Sequence, residues 1–276
     1  MVIDSSFSCD SVIWIKSLPP EDEGITNRII EDLEPLLKTN NRYFECWDVN
    51  SVNDLVDALS ELVNTAREHE FYPLLHLDMH GDEEKGIYIE KSKEYMPWNV
   101  LCDKLRELNN VTNNNLCIIL TACFSLNVIK SINKNELTPF FVLIAPEKTV
   151  DGGFLATNIL EFYRILFSSG SIDLAYNQFL KDKFHYYHCE KTLFMILARY
   201  ILKGCKGRSA RERRERLLTE LMESGVPNTK SNLKSARQTI KKKLIPEQSL
   251  VERYAKKFLG ERKVSFNIED ILKLIG

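Results

Sequence analysis

Leu74-Leu75-His76-Leu77-Asp78-Met79-His80-Gly81 and Leu116-Cys117-Ile118-Ile119-Leu120-Thr121-Ala122-Cys123 are the two stretches that decide the fold. Each is an apolar run of strand length that delivers a reactive side chain at its C-terminal end. Near-continuous apolar runs of this kind suit strands covered on both faces, as in parallel sheets. His80 and Cys123 lie 43 residues apart, the length of one strand-helix crossover. Right-handed crossovers place such strands in one sheet with their C-terminal ends on the same edge. The spacing therefore brings His80 and Cys123 within reach of each other.

Outward from this pair the same alternation continues. The sequence predicts a strand over 11–16, a Pro-Pro-Glu-Asp-Glu-Gly loop over 19–24, and a helix over 25–37 that Pro35 kinks or ends early. A second strand over 43–47 follows, then a helix capped by Ser51 with Leu55, Leu59, Leu62 and Val63 on its apolar face. A small hairpin begins at Gly86, and Trp98, Leu101, Leu105 and Leu108 mark another helix. A fifth strand spans 140–145, and one or two helices span 154–180. Strands alternating with helices predict an α/β domain over residues 1–190, with a mainly parallel central sheet. Residues 191–276 read as an all-helical extension.

The chain has 276 residues, 44% of them hydrophobic and 28% charged, which is an ordinary globular composition. The longest membrane candidate, 192–202, falls short of the roughly 18–20 residues needed and contains Arg199. No membrane association is expected, and the N-terminus has no basic region and apolar core of a secretory signal. Seven cysteines scattered through apolar runs suit reduced thiols in a cytoplasmic protein. The formal net charge of −2 conceals a split. From Lys206 onward there are 18 basic and 9 acidic residues, against 19 and 30 before it. That polarity suggests two modules with different partners.

A thiol near its ordinary pKa of about 8.5 is only a few per cent thiolate at neutral pH, so a nucleophilic cysteine needs a neighbouring base. His80 is placed to be that base for Cys123. A glycine directly after the histidine leaves room for a substrate chain. The backbone N–H groups of Gly81 and Cys123 are candidates for an oxyanion hole, where each donor is worth roughly 3–4 kcal/mol.

A hydrophobic strand ending His80-Gly81, followed by one ending Ala122-Cys123, resembles the caspase-like (clan CD) cysteine peptidases, most closely the bacterial CHAT-domain branch. Ile144-Ala-Pro-Glu-Lys-Thr-Val-Asp151 followed by Phe162-Tyr163-Arg-Ile-Leu166 is similar to that family's strand, acidic loop and Phe-Tyr helix. The likeness covers about residues 10–180. It implies a three-layer sandwich and a cysteine endopeptidase that makes limited cuts in a partner protein, often in bacterial defence against phage. It also implies activation by proximity or by a sensor protein, which the helical extension would engage. Two positions depart from the pattern. Phe124-Ser125-Leu126 follows the cysteine where many relatives have glycine two residues on. Thr121 stands where metacaspase-like members carry an aspartate for a basic substrate side chain, so cleavage after Arg or Lys is not supported. Asp78, Asp82, Thr121, Glu147 and Asp151 are the substrate-contact candidates.

Competing readings attach to each feature. Cys123 alone would pass for a buried core thiol, and the whole domain for an inactive scaffold. His76, Asp78 and His80 share one strand face, and His185, His188 and Cys189 have helical i, i+3, i+4 spacing; both sets resemble metal ligands without completing a site. No metal or other cofactor is called for. Asp151 is alternatively a cap for the helix at Phe154. The basic helices around 208–216 and 234–243 offer phosphate contacts, and the pair flanking Gly225 mimics a helix-turn-helix. Alternating charge from Arg211 to Arg216 fits a solvated face, so nucleic acid ranks below an acidic partner or the chain's own acidic domain.

Overall fold

The computed structural model describes residues 3–205 and 207–275. In chain order the first elements are β1 (Ser11–Ser17), α1 (Pro20–Thr39), β2 (Tyr43–Asp48), α2 (Val52–Glu68) and β3 (Pro73–Asp82). A hairpin of β4 (Gly86–Ile89) and β5 (Glu94–Met96) precedes α3 (Trp98–Val111) and β6 (Cys117–Leu120). A 3-10 segment (Ser125–Ser131), β7 (Val142–Pro146), α4 (Gly152–Ser169), α5 (Ile172–Phe179) and β8 (Phe184–His188) follow. The helices α6 (Cys189–Gly204), α7 (Gly207–Glu223), α8 (Lys230–Lys243), α9 (Gln248–Leu259) and α10 (Ile268–Leu274) complete the chain.

The central sheet has the order β2-β1-β3-β6-β7-β8, parallel throughout except for β8, which runs antiparallel to β7. β3 and β6 are neighbours, with Leu74 opposite Cys117 and Leu77 opposite Leu120. Alternation along the strands divides the core between two faces. Ile13, Ile15, Leu75, Leu77, Ile118 and Leu120 pack with Leu55 and Leu59 of α2 and Leu101 and Leu105 of α3. The other face carries Trp14 and His76, whose rings stack 3.5 Å apart, and meets Tyr163 of α4. The result is a mixed α/β architecture, a mostly parallel sheet with helices on both sides.

Local chemistry explains where the elements begin and where expectation fails. Ser51 caps α2 by accepting from the Asp54 amide. The loop expected over 19–24 is instead the first turn of α1. Pro20 presets φ at the N-terminus, and Glu21, Asp22 and Glu23 complement the positive end of the helix dipole. Pro35 does not end the helix, which runs on to Thr39. The residue whose carbonyl loses a partner, Glu31, is exposed, while Leu33 and Leu37 are buried on the inner side. Residues 184–188, where the His185/His188/Cys189 spacing would also suit a helix, form an edge strand in which their aromatic side chains fit the pleat. Among the described residues no helix is long and apolar enough to cross a membrane.

The chain divides into two compact units, residues 4–189 with 257–262, and residues 190–256 with 263–275 and Ile3. Within the helical unit Arg213 donates to the Tyr200 hydroxyl at 2.7 Å, and Arg237 of α8 approaches Glu215 of α7 at 3.4 Å. The buried Glu190 carboxylate accepts from both the amide and the hydroxyl of Ser265.

His76 gives the α/β unit a pH dependence. It is fully buried, bonds Tyr163 through Nδ1 at 2.9 Å, and its Nε2 has no hydrogen-bond partner among the described residues. Burial holds its pKa well below the usual 6.5, so the folded chain keeps it neutral while the unfolded chain takes up a proton below that pH. Stability is therefore present above pH 6.5 and falls as pH drops from 6.5 toward 5, by up to about 1.4 kcal/mol per unit. Urea midpoints measured across that window should fall, and a His76→Phe chain should show a shallower fall.

Candidate active site

The site is built where β3 and β6 end together. The Thr121 amide donates to the Leu77 carbonyl at 3.0 Å, carrying the pairing of the two strands to the last residue before the turn. Beyond it, β3 peels away to pair with β4, with Gly81 opposite Ile87. Gly81 is forced by a close approach: a Cβ there would fall 2.2 Å from the Cys123 carbonyl oxygen and 3.2 Å from Ala122 Cβ. His80-Gly81 and Ala122-Cys123 are thus held backbone to backbone. Phe124 then takes a left-handed conformation, φ 59° and ψ 10°, before the 3-10 segment starts. A bulky residue in that region is uncommon and costs about 1–3 kcal/mol of local strain. The sharp turn leaves Cys123 on an outward corner, half-buried.

His80 and Cys123 line one cavity of about 150 Å³. Its other walls are Leu18, Ile25, Met79, Val150 and Leu155, with Asp22, Thr26, Asp78, Thr121 and Gly152. Among the described residues no lysine or arginine lines it. Two larger recesses, about 470 and 580 Å³, lie beside Cys205 and Cys46, and neither brings a histidine to a cysteine.

Cys123 Sγ accepts the Val150 amide at 3.5 Å and lies 4.0 Å from the Val150 carbonyl. The Cys123 amide, one of the expected oxyanion donors, has no hydrogen-bond partner among the described residues. The Gly81 amide lies within the strand segment that pairs with β4. His80 is half-exposed, and its Nε2 sits 3.1 Å from Asp22 Oδ2. Burial disfavours the thiolate form of several other cysteines. Burial pushes Cys9 up to about 12, Cys46 and Cys102 up to about 11, and Cys117 well above its ordinary range.

The five expected substrate contacts separate into two groups. Asp78 and Thr121 are buried and reach the cavity. Asp78 accepts from Thr26 Oγ1 at 2.5 Å and from Thr121 Oγ1 at 2.8 Å. Burial raises its pKa, and those two hydroxyls oppose the rise. A carboxyl group thus reaches the cavity from β3, beside Thr121. Asp82, Glu147 and Asp151 do not line the cavity. Asp82 accepts the Glu84 and Lys85 amides in the β3–β4 turn, which lowers its pKa. Asp151 caps α4 by accepting the Phe154 amide at 2.9 Å. Glu147 pairs with His185 of β8 at 3.2 Å.

Sequence reasoning missed Asp22 because the start of α1 read as a loop, and missed Thr26, inside the expected helix, because its partner one turn earlier was not placed on that helix. Their i, i+4 spacing in a helix is the signal that would have placed them on one face. Neither metal-like set gathers. His185 pairs with Glu147, whereas His188 donates through Nε2 to the Asp4 carbonyl at 3.0 Å. Among the described residues no cluster of three or more His, Cys, Asp or Glu is arranged to hold a metal ion. No family model matches the chain, and no curated protein matches it in sequence.

Proposed function

We propose that the chain is a cysteine endopeptidase of caspase-like architecture, with Cys123 as nucleophile and His80 as general base and then acid. The observation that carries this reading is the backbone contact at Gly81, which puts His80 and Cys123 on one small cavity at adjacent strand ends. Ligand sites in such sheets lie beyond the carboxyl ends of the strands, which supports the reading further. Cys123 Sγ attacks the peptide carbonyl carbon while its proton passes to His80. The carbonyl oxygen becomes an oxyanion and meets the unpartnered Cys123 amide, with Gly81 beside it. Collapse breaks the C–N bond, and His80 returns the proton to the leaving amine. The resulting thioester is hydrolysed by water deprotonated through His80, which restores the thiol. The helical unit is the module we assign to a sensor or activator protein.

The cavity walls bear on the residue before the scissile bond. Two carboxylates, Asp22 and Asp78, and no lysine or arginine repel an acidic side chain. A diverse peptide library, with cleaved bonds read as new N-termini by mass spectrometry, tests both points. Bonds following Asp or Glu should be cut about tenfold or more slowly than those following neutral or basic residues. Cys123→Ala should release no new N-termini. Unaltered cleavage by that variant would overturn the assignment.

One observation favours a second reading, a scaffold or latent state. Cys123 Sγ is engaged by the Val150 amide, and His80 by Asp22. An inactive binding module predicts that partner capture survives Cys123→Ala and His80→Ala together.

A further inference from the structure

The N-terminal turn of α1 meets β3 at two points. Residues i and i+4 of a helix are separated by about 6 Å along its axis. Residues i and i+2 of a strand are separated by about 6.6 Å and share a face. Asp22 and Thr26 therefore match the spacing of His80 and Asp78. Thr26 is buried, and its hydroxyl donates to Asp78 Oδ2 at 2.5 Å. The second contact, one turn earlier, is Asp22 Oδ2 with His80 Nε2 at 3.1 Å. Asp78 is itself tied to β6 through Thr121 Oγ1 at 2.8 Å. Helix, histidine strand and cysteine strand are thus joined through one buried carboxylate.

An imidazole nitrogen that faces a carboxylate carries the hydrogen, and this leaves the other nitrogen with its lone pair. We infer that Asp22 is the positioning residue of His80: it holds the ring with hydrogen on Nε2, so that Nδ1 is the atom that takes the Cys123 proton. The inference rests on the nucleophile and base assigned above. In this role Asp22 acts only through the ring it orients, separately from its place on the cavity wall. Both partners are about half-exposed, so the pair contributes little to stability. Its consequence is chemical. Thr26 is what makes the arrangement reproducible, because its buried bond to Asp78 sets the register of α1 on the sheet.

Long-range nitrogen-proton NMR of His80 in alkaline buffer, with the alkylation rate of Cys123 measured on the same samples, tests the role. The chains are the full-length wild type, Asp22→Asn and Asp22→Glu. The wild type should show the Nε2–H form. Asp22→Asn can donate to the ring and should admit the Nδ1–H form. Cys123 alkylation should then slow by about tenfold, with unchanged thermal melting. Asp22→Glu should restore both readings. Selective labelling of Cys123 that is the same in Asp22→Asn, with the same tautomer, would overturn the role of Asp22 alone. Labelling of wild-type Cys123 no faster than Cys46 or Cys205 would overturn the role together with the nucleophile assignment beneath it.

Discussion

A Gly81→Ala chain is expected to lose stability and Cys123 reactivity together. The added Cβ would lie 2.2 Å from the Cys123 carbonyl oxygen and 3.3 Å from its carbonyl carbon. No flexible side chain can yield there, because the obstacle is backbone. Either β3 or the turn after β6 must shift, and both are tied down. β3 pairs with β1 and β6 on its two sides, and the Thr121 amide and hydroxyl both bond the Leu77 carbonyl. Overpacking of a fixed interior typically destabilises by about 1–3 kcal/mol, which lowers the melting temperature by roughly 2–12 °C in a domain of this size. The displacement that relieves the clash also separates His80 from Cys123. Calorimetry and Cys123 alkylation on the same variant check both effects.

Cys123→Ala should show the opposite pattern: loss of peptide cleavage by about a thousandfold or more, with stability changed by less than about 1 kcal/mol. The thiol is half-buried, and among the described residues its only polar contacts are weak ones to the Val150 backbone. Removing the sulfur leaves that single amide without its acceptor and opens a cavity that already reaches solvent. His80→Ala should follow the same pattern. An equal loss of stability in these variants would mean that the two residues hold the strand ends together structurally.

Much of this architecture was legible because burial on both faces writes itself as apolar runs. The two strands quoted first are adjacent and parallel, and α2 buries the four apolar residues expected of it, Leu55, Leu59, Leu62 and Val63. The acidic stretch 20–24 was not legible. Its polarity looks like a loop, whereas a proline followed by carboxylates is also a favourable helix start, and only packing decides between them. Asp22 was lost to the site for that reason, and with it the i, i+4 pairing that would have pointed to Thr26. The aromatic stretch 184–188 shows the reverse ambiguity, since its histidine spacing fits a helix and its residue types fit an edge strand. Among the acidic candidates, Asp82 and Asp151 are taken up by amides two to three residues ahead, a local use of aspartate that competes with any distant contact. Asp78 escaped that fate because it lies inside a strand, where its own neighbours' amides are committed to the ladder.

The most direct measurement is the alkylation rate of every cysteine under limiting iodoacetamide from pH 5 to 9, by mass spectrometry, in the wild type and in His80→Ala. Burial pushes Cys9, Cys46, Cys102, Cys117 and Cys205 upward, so these thiols form a slow internal reference. If His80 activates Cys123, that residue labels first, already in the acidic part of the range, and the advantage vanishes in His80→Ala. Labelling of Cys123 at the same rate in both chains would contradict the account.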